Sequence, residues 1–177
     1  MLNSQSITQT NAYARQDGFW LGLLWIASFA CIVYAPESGL GLLLMMATPF
    51  MIVWRMGAFR KEALAGAMSY RRAFAYSFYS FFYASLVFAA AQMVYFRYLD
   101  GGRFMSFMIQ STSVLKQVYE QNGMPTADFD ETLKLMGEMK PFDTACLFLM
   151  QNMTIGFLAS VVIALFGRKG SPRQVQP

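Results

Sequence analysis

The sequence predicts an all-α fold: an integral membrane four-helix bundle with an extracytoplasmic amphipathic helical hairpin between spans 3 and 4. Three observations predict it. Hydrophobic residues fill 56% of the 177 positions and charged residues 14%, against about 25% charged in a soluble domain. Four stretches approach the roughly 17–25 mostly apolar residues that cross a bilayer as a helix. Lysine and arginine are shared unequally between the two sides those stretches define.

A four-span membrane domain is expected over 18–166, with spans at about 18–35, 39–59, 73–96 and 144–166. Residues 1–17 precede it as a polar cytoplasmic tail. The first span carries no charge and stops at Pro36 and Glu37. A cleaved signal peptide is the weaker reading, because the apolar run is longer than a usual signal core and only Arg15 precedes it as a basic residue. Ser28-Phe29-Ala30 is a poor cleavage match. The second span reaches 59 only if Arg55 snorkels. Pro49 removes an intrahelical bond and predicts a kink there. Glu37 and Ser38 leave almost no loop between the first two spans. The fourth span is bounded by Asp143 and by Arg168-Lys169, and a basic tail, 167–177, follows.

The loop 97–143 is too polar for a span and too long for a plain connection. Phe104, Phe107, Met108, Leu115 and Val118 recur at helical spacing, and Phe129, Leu133, Met136 and Met139 do so again. Asn122-Gly123-Met124-Pro125 separates the two helices, with Gly123 suited to a left-handed cap. Thr126 is placed to cap the second helix, whose first turn holds Asp128, Asp130 and Glu131. Its apolar faces can rest on the outer membrane surface, on each other as a lid, or on a partner protein.

Orientation follows from charge. One side collects Arg15, Arg55, Arg60, Lys61, Arg71, Arg72, Arg168, Lys169 and Arg173 against Asp17 and Glu62. The other holds Arg97, Arg103, Lys116, Lys134 and Lys140 against eight carboxylates, and is net acidic. The positive-inside rule places both termini in the cytoplasm. Arg60, Lys61, Arg71 and Arg72 are the candidates for lipid or phosphate contact on the inner side. Topology signalling and headgroup contact explain them without a dedicated phosphate site, since no glycine-rich cradle accompanies them.

Inside the bundle, Gly18 and Gly22, Ser80 and Ala84, and Gly156, Ser160 and Ala164 mark seams where helices can approach closely. Gln92, Gln151 and Asn152 fall at similar depth. They read as interhelical glue or as a polar pocket for a lipid headgroup or small amphiphile. Cys31 and Cys146 also share a depth, and free apolar thiols are preferred to a disulfide. Tyr76, Tyr79 and Tyr83 read as packing and interfacial anchoring.

Chemistry is sparse. There is no histidine and there are two cysteines, which excludes a His general base, His-ligated metals and a Cys-rich metal site. The acidic turn at Asp128 does not have EF-hand spacing. No ionisable group falls near a predicted bilayer centre, which counts against proton-coupled transport. No catalytic residue, metal or cofactor is expected. The net charge of +4 is divided by membrane side rather than gathered as a nucleic-acid patch.

The stretch Phe59-Arg60-Lys61-Glu62 through Gly66, Ser69 and Ala73-Phe74, the Gly18/Gly22 start, and Glu120-Gln121-Asn122-Gly123-Met124 before a Met-rich acidic helix together resemble a known family. It is domain of unknown function family 4199, small bacterial envelope proteins with four predicted spans. The resemblance runs from about Tyr13 to Lys169. Acidic content is lower here than the family pattern, and aromatic content higher. The resemblance carries no catalytic residues, and it implies a membrane glycosyltransferase acting on polyprenyl phosphate as one partner class.

The resulting expectation is a multi-pass protein of the bacterial inner membrane, not an enzyme, acting as an accessory or scaffold subunit of an envelope complex. Its partners would be membrane lipids and either further copies of itself or another envelope membrane protein. The alternative is an oligomeric lipid-binding or lipid-transport protein, with Arg60, Arg71 and Arg72 meeting the phosphate.

Overall fold

The computed structural model describes residues 4–168, and among them every regular element is helical. The order is α1 (Ser4–Tyr34), a 3-10 turn (Pro36–Ser38), α2 (Leu40–Ala63), α3 (Tyr70–Tyr98), α4 (Arg103–Gln121), α5 (Ala127–Glu138) and α6 (Pro141–Gly167). α1, α2, α3 and α6 are long and apolar enough to cross a membrane. The shortest, α2, has 24 residues, or about 36 Å at 1.5 Å per residue, against a hydrocarbon core of about 30 Å.

Pair contacts fix an up-down-up-down course. α2 returns along α1: Ser28 Oγ donates to the Gly41 carbonyl (2.7 Å) and Trp25 Nε1 to Thr48 Oγ1 (3.0 Å). α3 runs parallel to α1, with Gly18 facing Ser80, Tyr83 and Ala84, and Gly22 facing Ala84 and Val87. α6 comes back along α3, with Gly156 against Phe81 and Gly167 against Met56 and Ala73. α3 is the central helix and packs on both α1 and α6. The start of α1 and the end of α6 therefore lie at one end of the bundle, called here the basic end.

The outer surface is apolar. Leu42, Leu43, Met46 and Phe50 on α2, and Met150, Leu158, Val162 and Phe166 on α6, are exposed. In water such a belt would be an aggregation surface; hydrocarbon makes it favourable. Three interior hydroxyls are satisfied along their own helices, Ser80, Ser85 and Ser160 donating to the carbonyls four residues earlier, whereas the buried Ser77 and Tyr95 hydroxyls have no partner among the described residues.

Several expectations change. Residues 4–17 are helical, since α1 begins at Ser4. Thr10, Ala14, Asp17 and Leu21 are all buried, and this spacing of three or four continues one helical face downward against α3. Residues 1–3 and 169–177, including most of the expected basic tail, lie outside the described residues. α2 continues through Pro49 to Ala63. Thr126 makes no capping bond at the start of α5, its φ of −120° and ψ of 0° being far from the extended cap geometry. α4 instead has a strong cap: the Asp100 carboxylate accepts from the Phe104 (2.8 Å) and Gly102 (3.2 Å) amides.

α4 and α5 form two separate helices, with Gly123 left-handed (φ +68°) between them. They touch through Tyr119 and Phe129, ring centroids 5.1 Å apart, and through Lys116 Nζ to Asp130 at 2.6 Å. That exposed pair contributes at most about 1 kcal/mol. At the far end Phe29, Tyr95, Phe96, Phe104 and Phe148 make an aromatic cluster that ties α4 to α1, α3 and α6. Met108 and Met136 pack against it.

Candidate functional site

The densest buried polar arrangement lies at the basic end, where α1, α2 and α3 meet. Asp17 is 1% exposed. Its Oδ1 accepts from Arg55 Nε of α2 at 2.6 Å, and its Oδ2 accepts from the Tyr76 hydroxyl of α3. The Tyr76 ring is buried and stacks on Phe59 at 5.1 Å and 13°, while Tyr13 covers the other part of Phe59 at 4.7 Å. The Arg72 guanidinium lies 5.6 Å from the Phe59 centroid, a cation–π distance. Arg72 also donates from Nε to Thr10 Oγ1 (3.1 Å) and from Nη2 to Gln9 Oε1 (2.5 Å). Tyr83 donates to Asn11 Oδ1 at 2.7 Å.

This is a clamp. Both carboxylate oxygens are occupied by donors from two different helices, one of them a guanidinium, so the charge is paired and hydrogen-bonded as burial demands. It fastens three helices at one level. α6 joins through a separate link, Arg60 Nη1 donating to the Gly167 carbonyl at 3.2 Å. That contact places a cation on the carbonyl-rich C-terminus of α6.

The model of the family described as protein of unknown function (DUF4199) matches residues 16–169. The chain belongs to this family. No curated protein and no solved structure matches the chain. The DUF4199 match contains Asp17, Arg55 and Tyr76, and leaves out Gln9 and Thr10.

Within this DUF4199 chain the four basic candidates do not form one patch. Arg72 is half-buried, and its Nε and Nη2 donate to Thr10 and Gln9 of α1. Arg71 is exposed. Arg60 is half-buried and holds α6, and the exposed Lys61 follows it on α2. The last two line a groove of about 410 Å³ with Trp54 and Gly57.

The amides expected at a common depth also separate. Gln92 is 1% exposed, whereas Gln151 is exposed. Adjacent residues on a helix point about 100° apart, so Gln151 looks outward when Asn152 is half-buried. No hydrogen bond joins Gln92 to Asn152, and both Gln92 amide atoms and Asn152 Nδ2 have no partner among the described residues. An unpaired buried amide costs about 1–3 kcal/mol. Gln92→Leu is therefore expected to raise the thermal midpoint in detergent, and a lowered midpoint would mean that the amide has a partner in the membrane.

The small residues Gly18, Gly22, Ser80, Ala84, Gly156, Ser160 and Ala164 all lie buried at helix contacts. A Cβ on Gly18 would sit 2.6 Å from the Ser80 carbonyl oxygen, one on Gly22 2.8 Å from Val87 Cβ, and one on Gly156 2.7 Å from Phe81 Cβ. Cys31 and Cys146 are free thiols. Among the described residues no cluster of His, Cys, Asp or Glu could hold a metal ion.

In the sequence Asp17 counts only as a charge on one side and Arg55 as a charge expected to snorkel, whereas Arg55 turns to the buried Asp17. A signal was available: the two residues stand at nearly equal distances before and after the 3-10 turn at Pro36–Ser38. In an antiparallel hairpin, equal distance means equal depth.

Proposed function

We propose that this protein is a multi-pass protein of the bacterial inner membrane, with both termini cytoplasmic and the α4–α5 hairpin outside. In this reading it serves as a non-catalytic accessory or scaffold subunit of an envelope membrane complex. The observation that carries it is the hairpin surface. Ile109, Val114, Leu115, Val118, Met124 and Leu135 are exposed on a segment whose Lys116, Asp128, Asp130 and Glu131 keep it out of hydrocarbon. The buried charges, by contrast, are consumed in holding helices together, which suits a scaffold. Orientation is supported by the excess of arginine and lysine at the basic end. A second copy of the chain, another envelope membrane protein, or more narrowly a polyprenyl-phosphate glycosyltransferase would be the partner.

The test is a photo-crosslinking residue at Leu115, activated in cells before extraction in mild detergent. A discrete adduct with a membrane protein, or with a second copy, is the expected result. Recovery of the uncrosslinked monomer alone would overturn the proposal. A lipid-handling role is the second reading, favoured by the groove beside Lys61.

A further inference from the structure

We propose that the lipid-facing side of α2 at the basic end holds one anionic phospholipid, seated in a notch between Trp54 and Lys61 with Gly57 as its floor. The inference rests on the membrane reading above and adds a ligand class to it. Ile52, Met56 and Phe59 are buried and mark the inward face of α2. At 100° per residue, Phe50, Trp54, Gly57 and Lys61 fall on the opposite meridian. Phe50 is 74% and Trp54 70% exposed. A Cβ at Gly57 would meet nothing within 4 Å, so the floor is open between a bulky indole and a cation. The groove of about 410 Å³ is within the roughly 300–1,000 Å³ of ordinary ligand sites.

The chemistry is ordered along the helix axis. Lys61 is seven residues beyond Trp54, about 10 Å nearer the basic end. An indole at the glycerol level and an ammonium at the phosphate level match the layers of a bilayer interface. Arg60 flanks the same groove while its Nη1 is fixed on the Gly167 carbonyl, which holds its position with less side-chain freedom to lose. Lys61 has no carboxylate partner among the described residues, while Glu62 also borders the groove. Two cations and one carboxylate leave a single positive charge. A phosphodiester with an uncharged headgroup neutralises it; a choline or ethanolamine headgroup, carrying its own cation, does not.

The test uses the full chain in mild detergent, offered equal amounts of phosphatidylglycerol and phosphatidylcholine and read by native mass spectrometry. One phosphatidylglycerol should be retained in about tenfold preference. Lys61→Gln should reduce that preference, and Gly57→Leu should do the same by filling the floor while keeping every charge. Both variants should keep the wild-type thermal midpoint, since neither position packs inside the bundle. Arg71→Gln, outside the notch, should retain the preference. Equal retention of the two lipids, or undiminished phosphatidylglycerol binding in Gly57→Leu, would overturn the proposal. Displacement of the lipid by inorganic phosphate would also overturn it, by showing a simple anion site. Neither result depends on whether Leu115 crosslinks to a partner.

Discussion

Asp17→Ala is expected to lower the stability of the bundle by about 3 kcal/mol, the low end of the cost of removing one partner from a buried ion pair, because the Arg55 side chain left behind is partly exposed. The substitution strips the acceptor from Arg55 and from Tyr76 together. Arg55 is half-buried, and Asp17 is its one carboxylate partner within salt-bridge distance among the described residues. The loss of the charge pair can be separated from the loss of packing. Asp17→Ala with Arg55→Met removes both charges, and buried pairs replaced by apolar residues are often neutral in stability. The double variant should therefore recover much of the deficit, measured as thermal midpoint or denaturant midpoint in a fixed detergent. A double variant as unstable as Asp17→Ala alone would mean that Arg55 matters for something other than Asp17.

The second large effect belongs to Gly18. Leucine there would drive its Cβ to 2.6 Å from a backbone carbonyl on α3 and 2.7 Å from Tyr83 Cβ. Neither is the loose end of a flexible chain, so α1 and α3 must move apart. Overpacking of this kind costs about 1–3 kcal/mol where side chains can adjust, and backbone contact puts Gly18→Leu at the upper end or beyond. Gly57→Leu is the matched control, because its Cβ has open space and leucine is the better helix former. A fall in thermal midpoint for Gly18→Leu with none for Gly57→Leu is the expected pattern. Equal effects would remove the claim that α1 and α3 meet at a glycine seam.

These two sites differ in how far sequence could reach them. Gly18 and Gly22, or Gly156, Ser160 and Ala164, are spaced four apart on one helix, and local periodicity exposes them. The four apolar spans are legible for the same reason: the solvent preference of a helix is written in consecutive residues. Asp17 and Arg55 are far apart in the chain, and only the hairpin geometry joins them. The start of α1 was hidden because Gln9, Thr10 and Asn11 are polar and obtain their partners from Arg72 and Tyr83 on another helix. The aromatic cluster of Phe29, Tyr95, Phe96, Phe104 and Phe148 is equally non-local. Thr126 shows the opposite failure: a residue type suited to capping sits in a backbone conformation that cannot cap.

Cysteine labelling of intact cells tests the central claim, that four helices cross the membrane in alternation with the basic end inside. In a chain with Cys31 and Cys146 replaced by alanine, a single cysteine is placed at Ser38 or at Ala65, both exposed positions in the two short connections. The account predicts that an impermeant maleimide reaches Ser38→Cys from outside, and Ala65→Cys only after the inner membrane is opened. Labelling of both positions from the same side would contradict the alternating course, and the reverse pattern would contradict the orientation.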